Sequence, residues 1–315
     1  MDADSLYFPL IKRLGRNARP GERGLLDENE ATALWQAMLD QRFSPSQEAA
    51  LLMGLRVHSE SAAMLAAFAR ETLSRCARVA APPRPATVVL HCLGTARRQP
   101  ILAPLLALHL AEVDVPVLLI TFDAQRGANT TAVLTALACV AARDPADAAR
   151  QLAHRRFAWI TVDTLCPVLA RVLSRRIELG FRNTAHSLIK LLAPVDGSAL
   201  VVANYTHPPY RESFAEAVSL MKLSALLVRG TEGDPVAWEA ATHRSEAWID
   251  GCAVDLPAIA IPAGEARAIA PLPDPLDAAA TAHFIERAIK REARIPAAIE
   301  RQASVLAALA QSRLA

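Results

Sequence analysis

Through the first eighty residues apolar side chains recur three and four positions apart in three blocks, DENEATALWQAMLDQ, SPSQEAALLMGLRVH and ESAAMLAAFARETLSRCARV. That spacing lays one apolar stripe along an α-helix. Each block carries a start signal. Asp27 with Glu30 three residues on forms a capping box, Ser44-Pro45 with Gln47 combines cap, first-turn proline and box, and Ser59 precedes the third block as its cap. Short polar connections between three amphipathic helices predict an all-α bundle.

The stretch APPRP, Ala81 to Pro85, cannot continue as regular helix and separates the bundle from the remainder of the chain. Beyond it the pattern changes to short β-branched runs alternating with helical ones: VVLHCL, ILAPLLALHLAEV, VPVLLITF, TTAVLTALACVAA and FAWITVD. Two helical segments come next, CPVLARVLSRRIELG closed by Gly180 and NTAHSLIKLLAP closed by Pro194. Then come strand ALVVANY, helix RESFAEAVSLMKL, strand ALLVRG and two helices, DAAATAHFIERAIKREA and PAAIERQASVLAALAQ. Alternation of this kind predicts an α/β fold with a mostly parallel central sheet and surrounding helices. The expected organisation is an N-terminal α-helical subdomain over 1–80, completed by helices within 166–193, and a larger α/β domain over 84–163 and 195–315.

At 315 residues the chain can bury a full core, and its 52% hydrophobic and 21% charged residues are those of an ordinary globular protein. The most apolar run, Pro100 to Phe122, is broken by His109, Glu112, Asp114 and Pro116, which predicts a buried helix and strand and no membrane span. The start MDADSLYFPL lacks the basic and apolar regions of a signal peptide. Five widely spaced cysteines without a CxxC pair fit reduced, buried thiols in a cytoplasmic protein.

The net charge of +2 names no partner, but its distribution is informative. From Arg150 to Lys190 eight basic side chains face only Asp163 and Glu178. Arg171 and Arg175 stand four apart on one helical face, with Arg176 beside them and Arg182 seven beyond Arg175; His186 and Lys190 repeat the four-residue spacing. Like charges stacked in this way imply an anion on that face. HCLGTARRQP, residues 91–100, is a strand running into a turn, the place where unsatisfied N–H groups bind phosphate. It offers Arg97 and Arg98 at an expected helix start, with Arg229 a weaker basic candidate farther along. ALLVRGTEGDPVAWE puts Glu232 and Asp234 in what reads as a solvated turn, without a two-carboxylate grip for magnesium. No Walker A loop, nucleophile elbow, HExxH or zinc spacing is present.

These elements occur in a telling order. The helical block SPSQEAALLMGLRVHSES, the proline break, the strand leading to Leu93-Gly94-Thr95, and R-x-x-L-G-x-R at Arg176, Leu179, Gly180 and Arg182 resemble the anthranilate phosphoribosyltransferase family, with its class II nucleoside phosphorylase type of fold. In that family an aspartate and G-T-G-G-D hold the pyrophosphate of phosphoribosyl pyrophosphate. Here His91, Gly94, Thr95 and Ala96 form a degenerate version, followed by arginines. The family's N-x-S-T contacts fall on or near Ala103 to Leu106, its K-H-G-N-R segment on Leu119 to Asp123, and its Asp-Glu magnesium pair on Pro235-Val236. With GFRNTAHSLIKLLAP, THPPY and RGTEGD, the chain resembles the non-catalytic YbiB-like branch.

That resemblance implies a homodimer paired through the N-terminal helices, with no cofactor and no catalytic residue. Its implied role is binding nucleic acid, DNA above all, single- or double-stranded, without sequence preference. The residues expected to serve are Arg97, Arg98, Arg171, Arg175, Arg176, Arg182, Lys190 and Arg229, with phosphate or sulfate as a further occupant of the loop. A phosphoribosyltransferase with an unusual acceptor and a scaffold for an acidic protein are the alternatives.

Overall fold

The computed structural model describes residues 3–14, 26–58, 60–122, 127–232, 234–237, 245–256 and 272–312. Its elements run α1 (Ala3–Leu14), α2 (Glu28–Leu39), α3 (Pro45–His58), α4 (Ala62–Ser74), β1 (Val79–Ala80), β2 (Thr87–Cys92), α5 (Ala103–Glu112), β3 (Val117–Thr121), α6 (Thr130–Ala136), α7 (Pro145–Arg155), β4 (Phe157–Thr161) and α8 (Val162–Leu165). They continue with α9 (Pro167–Leu179), α10 (Ala185–Leu188), β5 (Val195–Asp196), β6 (Ala199–Tyr205), α11 (Pro209–Leu220), β7 (Ala225–Thr231), β8 (Asp234–Ala237), β9 (Glu246–Ile249), β10 (Cys252–Val254), α12 (Ala278–Ile289) and α13 (Ala297–Gln311).

The main sheet has the order β10-β9-β7-β6-β2-β3-β4, with β8 also paired on β7. From β4 to β7 the strands are parallel, while β8, β9 and β10 run antiparallel at one side. Successive side chains of a strand face opposite ways, and here both faces are covered. Val89, Leu118, Ile120, Val201 and Leu227 pack on the bundle side, whereas Val88, Leu90, Leu119, Val202 and Val228 pack on the side of α5, α12 and α13. That double burial is why these strands are continuous apolar runs.

In the bundle α2 packs on α4 and α1 on α3, with α9 against α2 and α10 against α4. Trp35 and Phe68 stack with centroids 4.7 Å apart, and Trp35 Nε1 donates to Thr72 Oγ1 at 2.7 Å. The capping box at Asp27 and Glu30 forms in full. Ser44 and Gln47 close the second one by reciprocal hydrogen bonds.

The structure corrects the sequence expectation in several places. A helix not anticipated, α1, precedes the predicted three and contains Pro9. The cap of α4 is Ser61, whose side chain accepts from Met64 N; the predicted cap Ser59 lies outside the described residues. Helix α7 is also new, although Asp144 caps it and Pro145 opens it. The presumed solvated turn after β7 leads into β8, whose four residues are all buried. Not every thiol is buried, since Cys252 is exposed, but all five are free. Among the described residues no helix is long and apolar enough to cross a membrane.

Candidate anion-binding cleft

Strands β2, β6 and β7 are parallel, so the connections leaving their C-terminal ends open on one edge of the sheet. In open α/β sheets that edge is where ligands bind. Facing it is the end of α9, where Gly180 at φ 74° takes the left-handed conformation that reverses the chain and brings Arg176 and Arg182 to the same side. These pieces enclose a cleft of about 460 Å³ lined by Arg56, Arg97, Arg176, Arg182, His186, Lys190, Tyr205, Tyr210 and Glu232, among others.

The cleft is strongly positive. Among the described residues Arg97, Arg176 and Arg182 have no carboxylate partner. Burial, and then the charges of Arg176, Arg97 and Arg56, push Arg182 down to about 10; burial and Arg97 also lower Arg176. Lys190 is 8% exposed, donates from Nζ to Asn204 O at 2.8 Å, and lies 5.9 Å from the Phe214 ring centroid. Burial, with Arg182 adding repulsion, brings its ammonium down to about 7. His186 and His91 are both pushed down to about 3, chiefly by burial, so they are neutral at physiological pH. A pocket with this much unneutralised charge held out of bulk water favours an anion.

The loop after β2 shows where its own donors go. Ala96 N donates to Ala128 O at 2.9 Å, and Thr95 bridges Asn129. Arg97 N, Arg98 N and Gln99 N all donate to the Glu232 carboxylate, at 2.8, 3.1 and 3.3 Å to Oε2, and Arg98 N also reaches Oε1 at 3.1 Å. Leu102 N and Ala103 N donate to Asp234 Oδ2 at 3.0 and 3.1 Å. Asp234 is 2% exposed, its Oδ1 has no partner, and burial raises its carboxyl to about 7. The chain thus supplies its own carboxylates to the backbone groups that a bound phosphate would use.

The predicted residues separate into two groups. Arg97, Arg176, Arg182 and Lys190 line the cleft, and Arg98 is exposed beside them. Arg97 and Arg98 stand in a bend, four or more residues before α5 begins at Ala103, and not at a helix start. Arg171 and Arg175 do not face the cleft. Glu48 of α3 receives Arg171 Nη1 at 2.8 Å and Arg175 Nη2 at 3.0 Å, so the anion implied by their spacing is an internal carboxylate. Arg229 lies half-buried on β7, outside the lining. His91 belongs to β2, 1% exposed, and not to the loop, where Gly94 and Ala96 are buried and Thr95 is bridged.

Arg56 is a charged lining residue that the sequence pattern does not single out, and Glu232, expected in a solvated turn, lines the cleft instead. Arg56 of α3 donates to the Tyr210 hydroxyl, tying the bundle to α11. Nothing in the spacing of α3 marks it. Glu232 had a legible signal, an acid in a turn directly after a parallel strand.

The fold so described, an N-terminal helical bundle on a larger α/β domain, is the anthranilate phosphoribosyltransferase fold. Residues 9–76 match the family model of the glycosyl transferase family helical bundle domain. Over 235 residues the chain is 28% identical to the YbiB protein of Escherichia coli (strain K12), covering 73% of this chain and 72% of that one. It is also 28% identical over 230 residues to anthranilate phosphoribosyltransferase of Rhodospirillum rubrum, covering 70% of this chain and 64% of the relative. The crystal structure of the Thermus thermophilus enzyme superposes with a TM-score of 0.67 at 20% identity, over 98% of this chain and 88% of that one. The Saccharomyces cerevisiae enzyme in complex with 4-fluoroanthranilate gives 0.68 at 16% identity, over 98% and 89%.

Another structure of the yeast enzyme is described as a complex with PRPP and Mg. Among the described residues, the acids nearest this cleft do not fit that pair. Magnesium needs accessible, ionised carboxylates, but Asp234 is buried on the start of α5 and Glu232 is engaged by three N–H groups. The N–H groups of Arg97 to Gln99, Leu102 and Ala103 already donate to the same two acids.

Proposed function

We propose that this protein binds nucleic acid, DNA foremost, through phosphate contacts without sequence preference. Arg97, Arg176, Arg182 and Lys190 form the floor and wall of the site and Arg98 its rim. The observation that supports this most is the convergence of three guanidinium groups lacking carboxylate partners among the described residues on a cleft whose small-phosphate donors are already occupied. Such a surface suits a chain of phosphates that meets the arginines from outside. Phosphate contacts position a strand without reading its bases. The protein acts as a homodimer in this proposal. Exposed Phe8, Met53 and Val57 on α1 and α3 support pairing through the helical bundle.

The test is a salt titration of DNA binding by fluorescence anisotropy. With about four phosphates neutralised, affinity for duplex falls roughly 100-fold between 50 and 200 mM salt. The double charge reversal Arg97→Glu/Arg98→Glu abolishes binding at low salt. Undetectable binding by the wild type, or binding indifferent to the charge reversal, refutes the assignment.

The fold likeness favours one second reading, a phosphoribosyltransferase with an unusual acceptor. Calorimetry with magnesium and phosphoribosyl pyrophosphate decides it: heat of binding supports that reading, and the committed donors around the loop argue against any.

A further inference from the structure

Three consecutive backbone N–H groups pointing at one small volume are an anion seat in any protein, because they are strong donors with no other partner to satisfy them. At Arg97, Arg98 and Gln99 that seat is filled by the Glu232 carboxylate, through four hydrogen bonds of 2.8 to 3.3 Å. Glu232 reaches it from the turn between β7 and β8, at φ 52°, a left-handed conformation that a residue with a side chain rarely takes. The carboxylate carries the charge and the paired oxygens of a phosphate face, and it stands within a cleft to which Arg56, Arg97, Arg176 and Arg182 also contribute. Glu232 belongs to no salt bridge among the described residues; its role is played toward the backbone.

We propose that Glu232 is an internal pseudo-ligand that determines which phosphates the cleft accepts: it occupies the backbone seat, turns away small free phosphates, and leaves the guanidinium rim to a polymeric phosphate. The last clause rests on the nucleic-acid reading of the same cleft; the first two stand on the hydrogen bonds alone. A free phosphate of small size gains most of its binding by entering the seat, so it must displace a tethered competitor. Its apparent affinity is its intrinsic affinity multiplied by the fraction of time the seat is vacant. With Glu232 bound for all but about one-tenth to one-hundredth of the time, that is a loss of roughly 10- to 100-fold. A polymer meets Arg98, Arg176 and Arg182 at several points without entering the seat, so the tethered acid costs it little.

The experiment is isothermal titration calorimetry with inorganic pyrophosphate, no metal present, on the wild type, Glu232→Gly and Glu232→Gln. Glycine adopts the observed φ freely, so the first variant keeps the turn, and matched circular dichroism and melting temperature establish that it folds. Glutamine keeps the length and removes the charge. Pyrophosphate is expected to bind Glu232→Gly at least 10-fold more tightly than the wild type, with Glu232→Gln between them, while the gain for a DNA oligonucleotide, from the lost negative charge alone, stays well below the pyrophosphate gain. A gain of under 10-fold for pyrophosphate in Glu232→Gly, including no binding at all, overturns the proposal. So does a DNA gain as large as the pyrophosphate gain, because it removes the selectivity. Failure of the nucleic-acid reading is distinguishable: no DNA binding by any form, together with the pyrophosphate gain, overturns that reading and leaves Glu232 as the seat's occupant.

Discussion

Glu48 offers the sharpest test of how the basic residues of α9 divide. Its side chain is 5% exposed and both carboxylate oxygens are used, one by Arg171 and one by Arg175, whose side chains are 21% and 24% exposed. Glu48→Gln removes the shared counter-ion and leaves two neighbouring guanidinium groups mostly out of water. Breaking a fully buried pair costs about 3–5 kcal/mol. The cost is smaller here, because Arg171 keeps Met38 O and Arg175 keeps Glu178, which is 68% exposed. About 2–3 kcal/mol is therefore expected. In urea denaturation the midpoint falls with an unchanged m-value. Combining Glu48→Leu with Arg171→Met and Arg175→Met recovers most of the loss, since no buried charge is then left unpaired and Glu178 is exposed to water. A change below about 1 kcal/mol for Glu48→Gln refutes the internal-anion account by the same scale. So does a drop in DNA affinity for folded Arg171→Ala as large as that for Arg182→Ala.

Further outcomes concern the cleft and its supports. Lys190 at about 7 loses its charge as pH rises through neutrality, and Asp234, also near 7, gains one, so DNA affinity falls from pH 6 to pH 8, and Lys190→Met removes part of that fall in a pH series by anisotropy. For stability the sign is opposite in the ligand-free protein. Between about 7 and the ordinary lysine value of 10.5 the unfolded chain holds more protons on this group, so its penalty lessens as pH rises. The stability advantage of Lys190→Met is thus largest at pH 7 and shrinks toward pH 10 in urea titrations. Gly230→Ala places a Cβ 2.4 Å from Asp234 O and 2.6 Å from Asn204 Nδ2, and a thermal melt should show a loss of about 2 kcal/mol or more. Val57→Glu, on an exposed apolar position of α3, converts the proposed dimer to a monomer in sedimentation analysis.

Much of the fold was legible because local signals and burial agree. The box at Asp27 and Glu30, the proline break at 81–85, the Gly180 stop and the apolar runs of β2, β3, β4, β6 and β7 all mark elements that form. Helix α7 was overlooked although Asp144-Pro145 signals its start, because its surface is polar and its mean hydropathy low; only Ala148 and Leu152 are buried. The antiparallel strands beside β7 were hidden for another reason. β8 is four residues long and opens with an acid and a proline, which looks like a turn until Asp234 is seen to serve the amides of α5. The site was half legible. Arg97, Arg98, Arg176, Arg182 and Lys190 stood out by charge, but spacing along α9 could not separate Arg171 and Arg175 from them, because their partner Glu48 lies 123 residues away in the chain for Arg171 and 127 for Arg175.

Glu232 of the β7–β8 turn and Asp234 at the start of β8 stand two residues apart and grip one segment at two places, Glu232 at residues 97–99 and Asp234 at residues 102 and 103. The grips differ in depth, one at the rim and one buried. Arg97 to Gln99 are exposed while Leu102 and Ala103 are buried, so water reaches the outer amides first and the first turn of α5 stays covered. In hydrogen–deuterium exchange the amides of Arg97 to Gln99 should exchange early and those of Leu102 and Ala103 late. Asp234 is thus the deeper of two anchors on this segment.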